Sequence, residues 1–188
     1  MQRRQTVPLD IKKLDYTKDW EADNVPIMHI LGRTKGGTYV HLRNNEIEPY
    51  FYVPMSEFNS SIENSDLVTG IRYGFESIYG EDMVRIYTRV PGDVPKLRDK
   101  YSHHEADILF PNRFLIDAGI EGSIEIPHEH ATPEPTDISL DEIQTCEEGF
   151  DTRICFCDIE VDDGNGFPSE DVAEETILCV TTYDTYLE

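Results

Sequence analysis

The sequence predicts an α+β fold in which strands outnumber helices. Stretches rich in β-branched and aromatic residues, separated by turns that contain glycine or proline, recur through residues 1–126. Apart from a short helix or loop at 56–64, only the segments that begin near Pro91 and Pro111 have the proline placement and apolar spacing of helices. These observations predict a mixed, strand-rich N-terminal domain.

The elements of this predicted domain follow one another at short intervals. Strands are expected at 9–16, 25–31, 39–42, 47–54, 67–73 and 83–90, with a polar turn at 17–24 and a hairpin turn at 35–38. In the last strand, alternation places Arg85 and Arg89 on one face. Asp93 is the expected cap of the helix that follows, and Gly119 is the expected stop of the helix at 111–119.

A different composition begins at residue 127. Residues 127–150 contain three prolines and many acidic residues but no lysine or arginine, which predicts a connector. Ile138, Leu140 and Ile143 could nevertheless dock on a folded surface. The predicted organisation is a domain at 1–126, an acidic connector at 127–150 and the start of a second unit at 151–188.

The second unit opens with a strand that ends in two carboxylates. Apolar residues on both faces of 153–160 predict a strand buried in a sheet, and 176–183 predicts its hairpin partner. Asp158 and Glu160 are two residues apart, so their carboxylates lie on the same face. Like charges held this close favour a divalent cation, and two-metal phosphodiester chemistry uses such carboxylates. Alternatively, both residues simply end a strand at a solvated sheet edge.

The negative charge is distributed unevenly along the chain. Its 188 residues carry a net charge of −22. Residues 1–120 hold 15 of the 16 basic and 18 of the 38 acidic residues, a net of −3, whereas residues 121–188 have a net of −19. A strongly acidic protein is not expected to bind nucleic acid, because the phosphates repel its surface. This exclusion does not apply to residues 1–120, whose charges nearly balance. The acidity suits either a cytoplasm of molar salt or an acidic linker beside an acidic site.

Composition also limits the cellular compartment in which the protein is expected. A mean hydropathy of −0.48 and the lack of a run of about 18 apolar residues predict no membrane span. The first residues lack the apolar segment of a signal peptide. The four cysteines fall in the last quarter, two of them in the strand at 153–160, and are expected to be reduced core thiols. We therefore expect a cytoplasmic protein.

Five segments, in order, resemble the start of a family B DNA polymerase, particularly the archaeal replicative kind. They are Leu-Asp-Tyr at 14–16, Pro-Tyr-Phe-Tyr at 49–52, Pro-Gly-Asp-Val-Pro-Lys-Leu-Arg at 91–98, Arg-Phe-Leu-Ile-Asp-Ala-Gly at 113–119 and Phe-Cys-Asp-Ile-Glu at 156–160. The acidic bias makes the chain look haloarchaeal. Each segment alone is weak, but the shared order and spacing form a strong signal.

The resemblance implies an N-terminal domain followed by the first hairpin of a ribonuclease H-like 3′–5′ exonuclease sheet. Asp158 and Glu160 would then be catalytic residues and ligands of Mg²⁺ or Mn²⁺. The complete parent enzyme would be a nucleotidyltransferase for DNA replication that uses template DNA, deoxynucleotides and a sliding clamp. The fragment alone would be inactive in polymerisation and proofreading.

In archaeal relatives the N-terminal domain also captures uracil in the template strand. The resemblance carries this uracil- and template-binding role to eight residues, with Arg98 and Arg113 as candidate phosphate contacts. They are Tyr16, Pro49, Tyr50, Pro91, Val94, Arg98, Phe110 and Arg113. A flipped pyrimidine needs a tight apolar slot, polar groups for its edge and nearby cations for phosphates.

Two other classes of function remain open from the sequence. One is a non-enzymatic module that binds single-stranded nucleic acid and carries an acidic tail. The other is a small metal-dependent nuclease completed by acidic residues within 162–175. Uracil preference would distinguish the polymerase reading from generic binding, and metal-dependent hydrolysis would favour the nuclease.

Overall fold

The computed structural model describes residues 5–19, 25–150, 154–162 and 176–185. The chain forms two compact units, residues 1–149 and 150–188. The first unit contains two sheets with separate hydrophobic cores, and the second contains a hairpin. The mixed, strand-rich character predicted for the front of the chain is confirmed.

The larger sheet of the first unit has six strands in the order β8-β3-β2-β1-β7-β9. Its strands are β1 (Thr6–Asp19), β2 (Val25–Thr34), β3 (Tyr39–Asn44), β7 (Ser123–Pro127), β8 (Thr136–Asp137) and β9 (Gln144–Cys146). The first two strands pair antiparallel up to Asp19 and Val25, so 17–19 belong to β1 and not to the predicted turn. A bulge interrupts the pairing between Ile11 and Lys13. Beside it, a side chain at Gly32 would lie 2.6 Å from the carbonyl oxygen of Asp10, which explains the glycine.

One face of this sheet is covered by helix α3, Phe110–Asp117. Alternation in β2 and β3 turns Met28, Ile30, Val40 and Leu42 inward, where all are at most 1% exposed. Phe114 of α3 packs into the same core. The helix is followed by Gly119 at a φ of 65°, which confirms the predicted glycine stop.

The smaller sheet has the strand order β4-β6-β5. Its strands are β4 (Tyr50–Pro54), β5 (Val68–Glu76) and β6 (Asp82–Thr88), and it packs with helices α1 (Ser60–Glu63) and α2 (Val94–Arg98). Phe51, Val84 and Ile86 point into this second core and are fully buried. A 3₁₀ turn at Pro91–Asp93 leads directly into α2. Val94 and Leu97 anchor the segment 91–98 to this second core.

The predicted connector is instead part of the first unit. Residues 127–149 add β8 beside β3 and β9 beside β7, so they extend the six-stranded sheet at both edges. Ile138 and Ile143 are 4% and 8% exposed and belong to the first core. The acidic segment predicted as a connector is thus joined to the sheet, and the docking allowed for Ile138, Leu140 and Ile143 is found, because Leu140 also packs against this core.

The second unit is an antiparallel pair, β10 (Cys155–Val161) and β11 (Ile177–Asp184). The hairpin agrees with the predicted pairing, but the expected burial of the first strand is wrong. Phe156, Ile159 and Val180 are 57%, 53% and 54% exposed. Cys155, Cys157 and Cys179 are exposed too, so they are not core thiols. Two strands alone cover neither of their own faces.

Candidate functional site

A mainly apolar cavity of about 640 Å³ lies in the first unit. All eight residues that the family resemblance marks for uracil and template binding line it. They are Tyr16, Pro49, Tyr50, Pro91, Val94, Arg98, Phe110 and Arg113. Its walls are mainly proline, tyrosine, phenylalanine and aliphatic side chains, with the two arginines among the polar members.

Four separate segments of the chain converge on this cavity. Tyr16 comes from β1, Pro49 and Tyr50 from the start of β4, and the others from 91–98 and from the loop and helix start at 106–113. Phe110 belongs to the first hydrophobic core and Val94 to the second. The cavity therefore lies where the two cores meet.

The aromatic wall on one side is formed by Tyr16 and Phe110. Their rings meet edge to face with centroids 5.3 Å apart, a favourable geometry for an aromatic pair. Phe110 is 7% exposed, and Pro111 occupies the first turn of α3, where a missing N–H costs nothing. The wall is thus fixed on one side by a strand and on the other by a helix start.

Polar contacts hold Tyr50 in the cavity wall. Its hydroxyl donates to Asp117 Oδ1 at 2.7 Å and accepts from Arg113 Nη1 at 3.1 Å. Burial, with the hydrogen bond to Asp117, raises the pKa of Tyr50 well above its usual range. The hydroxyl therefore remains protonated and neutral at every physiological pH.

Arg113 links Tyr50 to Glu105 and so acts as a clamp between them. Its side chain is 4% exposed and donates to Glu105 Oε2 at 2.7 Å and to the Glu105 carbonyl oxygen at 2.9 Å. The guanidinium carbon also lies 4.2 Å from the centre of the Tyr50 ring. Glu105 has a φ of 58°, an unfavourable conformation for a side chain larger than glycine, and the two contacts from Arg113 hold it there. With its charge matched by Glu105, Arg113 is poorly placed to contact a phosphate, contrary to the sequence-based expectation.

Arg98 is more accessible than Arg113. Its Nη1 donates to the carbonyl oxygen of Ala106 at 3.0 Å, and its Nε lies 3.6 Å from Asp99 Oδ1. The contact with Ala106 ties α2 to the loop at 106–109 that closes the cavity. Since 31% of the side chain is exposed, Arg98 retains the access to solvent that a phosphate contact requires.

Seven further lining residues were not predicted. They are Gly92, Pro95, Ala106, Asp107, Ile108, Leu109 and Pro111. Each lies within a few positions of a predicted residue in sequence, so proximity was the available signal. Leu109 is 70% exposed at the start of α3, which places an apolar side chain at the cavity's rim.

Asp158 and Glu160 lie together on β10 of the second unit. They pair with Thr181 and Cys179 of β11, and alternation keeps both carboxylates on one face. Asp158 Oδ1 accepts the N–H of Ile159 at 3.1 Å. Hard cations prefer such carboxylate oxygens, so the donor set fits part of a Mg²⁺ or Mn²⁺ site.

A self-contained metal site is not found among the residues that the structure describes. Within them, no group of three or more His, Cys, Asp or Glu side chains is placed to hold a cation. The acidic residues that a small nuclease would use lie largely in 163–175, outside the described ranges.

None of the helices in the described ranges has the length and apolar character needed to cross a membrane.

No protein-family model matches the chain. Among curated proteins, the chain is 29% identical over 118 residues to a DNA polymerase from a Thermococcus species, which covers 52% of the chain and 7% of that protein. It is 29% identical over 127 residues to the DNA polymerase of Thermococcus kodakarensis and 28% over 127 residues to one from a Desulfurococcus species. Those matches cover 55% of this chain and 8% and 16% of the respective relatives, so it spans a small part of their length.

A similar solved structure is the family B DNA polymerase from Pyrobaculum calidifontis. The match has a TM-score of 0.72 and 22% identity and covers 95% of this chain and 25% of that one. At this identity the match establishes the fold. Together with the sequence matches, it shows that the N-terminal region is homologous to archaeal family B DNA polymerases.

Proposed function

We propose that this chain is the N-terminal part of a family B DNA polymerase and that its cavity binds a uracil base flipped out of single-stranded template DNA. The observation that carries this proposal is the convergence on one cavity of all eight residues that the resemblance marks, from four segments of the chain. The parent enzyme would copy DNA, and this part would test the template before synthesis.

The chemistry of the cavity suits a flipped pyrimidine. Apolar walls such as Val94 and Phe110 desolvate the base, while the tyrosine rings offer faces for stacking. Rigidity supplies selectivity, because walls fixed by Arg113 and by the hydrophobic cores cannot retreat from the 5-methyl group of thymine. Backbone N–H and C=O groups at the rim would read the polar edge of uracil.

Discrimination against thymine tests this role. We expect the 188-residue chain to bind single-stranded DNA with one uracil more tightly than the same strand with thymine, measured by fluorescence anisotropy in molar KCl. Val94 is 7% exposed and lines the cavity, so Val94→Gln should fill the slot with a longer polar side chain and abolish the preference. Ile116→Gln is the matched control, since Ile116 is 60% exposed and does not line the cavity.

Equal affinity of the unsubstituted chain for the two strands would contradict the proposed uracil sensing. Loss of the preference in both variants would point to instability as the cause. Far-UV circular dichroism of each variant separates these cases.

For the second unit, we propose that Asp158 and Glu160 are ligands of the catalytic metal in a 3′–5′ exonuclease. A bound Mg²⁺ or Mn²⁺ would supply Lewis-acid chemistry at the scissile phosphate. The two side chains offer oxygen ligands from one strand face, and other elements must supply the rest. Mn²⁺ binding, followed by electron paramagnetic resonance, should be weak and lost in Asp158→Asn, and equal binding by that variant would contradict the role.

A further inference from the structure

The outer face of the three-stranded sheet combines arginine and aromatic side chains. We call it the arginine–tyrosine face and define it by six residues. They are Tyr50, Tyr52, Arg72, Phe75, Arg85 and Tyr87. It lies opposite the face that buries Phe51, Val84 and Ile86 in the core.

Two cations are placed opposite each other on this face. Arg72 of β5 and Arg85 of β6 are direct cross-strand partners. Like charges at this position destabilise a sheet. None of the ion pairs formed within the described ranges involves either residue. Two unmatched arginines are unexpected in a chain with a net charge of −22, where acidic partners are abundant.

The contacts of Arg85 orient its guanidinium without neutralising it. Nε donates to the Tyr52 hydroxyl at 3.0 Å and Nη1 to the Tyr87 hydroxyl at 3.3 Å. The guanidinium carbon lies 4.2 Å from the ring centres of both Tyr50 and Phe75. Arg72 is exposed and lies 5.2 Å from the centre of the Tyr87 ring. The aromatic rings therefore hold both charges on the sheet surface, available to an anion.

The face also offers a depression with aromatic walls. A cavity of about 440 Å³ opens there, with Tyr52, Phe75 and Tyr79 as its aromatic lining and Glu76 and Glu105 as its acidic lining. Tyr79 is 85% exposed at the turn between β5 and β6. Arginines for phosphates and ring faces for bases are the two components of surfaces that bind single-stranded nucleic acid.

Tyr50 joins this face to the larger cavity, because it lines the cavity and contacts Arg85 on the sheet. We propose that the arginine–tyrosine face binds the single strand next to the base held in the cavity, with Arg72 and Arg85 on its phosphates. The occupant is single-stranded DNA, chosen by charge complementarity. The order of contacts along one strand rests on the proposed function of the cavity.

The test compares salt dependence with base preference. Binding of the 188-residue chain to the uracil and thymine strands is measured from about 0.1 M to about 1 M KCl, for Arg72→Gln and for Arg72→Gln/Arg85→Gln. Each lost phosphate contact should reduce the slope of log K against log salt by about 0.7 for single strands. Arg33→Gln is the matched control, since Arg33 is exposed, lies on β2 and takes part in none of the ion pairs formed within the described ranges.

We expect Arg72→Gln to weaken binding of both strands several-fold and by the same factor, and the double variant to weaken it further. The uracil-to-thymine ratio should not change. A slope for Arg72→Gln equal to that of the unsubstituted chain, or an equal loss in Arg33→Gln, would overturn the proposal. A missing uracil preference with the arginine effects intact would instead refute the function proposed for the cavity.

Discussion

At the scale of single residues, the cavity depends on buried polar contacts behind its walls. The sequence marked Arg113 as a phosphate contact because a cation near a nucleotide site suggests that role. The structure shows it clamped between Glu105 and Tyr50. Its partner could not be foreseen, because Glu105 reaches it only through a backbone conformation with positive φ. The type of residue was predictable here, and its contacts were not.

Replacing Arg113 should therefore destabilise the fold. Arg113→Met removes three hydrogen bonds from a side chain that is 4% exposed, and we expect a loss of about 2–3 kcal/mol in the free energy of unfolding. Glu105→Gln keeps the backbone carbonyl contact and alters a side chain that is 48% exposed, so it should cost less than about 1 kcal/mol. Urea unfolding measures both, and equal losses would contradict the clamp.

At the scale of elements, regular strands were predicted well and short ones were not. Strand β2 alternates between buried and more exposed residues along its ten positions, which is long enough for periodicity to be read. By contrast, β8 and β9 have two and three residues. No pattern exists at that length, so the sequence suggested a connector. Burial of Ile138 and Ile143 is what fixes this segment to the sheet.

The docked segment predicts a measurable cost for losing one apolar contact. Ile138→Ala should lower the free energy of unfolding by about 2–4 kcal/mol, since Ile138 is 4% exposed and would leave a cavity. Ile116→Ala, on the exposed side of α3 at 60%, should change it by less than about 0.5 kcal/mol. Similar small effects in both variants would mean that 127–149 is a loose connector after all.

The histidine pair on the larger sheet predicts a dependence on pH. His29 Nδ1 lies 2.8 Å from His41 Nε2, and His29 Nε2 lies 2.7 Å from Thr17 Oγ1. Burial, followed by the charges of His41 and Arg43, lowers the pKa of His29 below its ordinary value of 6.5. At a pH between the lowered pKa of the folded chain and the pKa of 6.5 in the unfolded chain, the unfolded chain binds more protons than the folded chain. The contribution of His29 to stability is therefore fully present above pH 6.5 and is lost as the pH falls through the lowered pKa.

Unfolding measured from about pH 7.5 to about pH 5.5 checks this sign. As the pH is lowered, the free energy of unfolding should decrease in the unsubstituted chain and should decrease less steeply in His29→Asn. Identical slopes would show that His29 does not titrate differently on folding. The comparison of slopes is independent of any constant loss of stability in the variant.

At the scale of the whole molecule, the eight pocket residues came from a family resemblance and not from periodicity. Pattern alone could not bring Tyr16 and Arg113 together, because almost 100 residues separate them and long-range packing joins them. The resemblance also marked Asp158 and Glu160, yet the exposure of their hairpin was missed. A strand with apolar residues on both faces has the same sequence whether or not other layers cover it.

The entry of a base into the cavity is the central claim, and ¹⁹F nuclear magnetic resonance tests it most directly. A single 5-fluorouracil in a short DNA strand places the reporter atom at the position where thymine carries its methyl group. On binding, we expect the fluorine signal to shift and broaden with the unsubstituted chain, and to shift far less with Val94→Gln at the same bound fraction. An unshifted signal while anisotropy shows the strand to be bound would contradict a flipped base in this cavity.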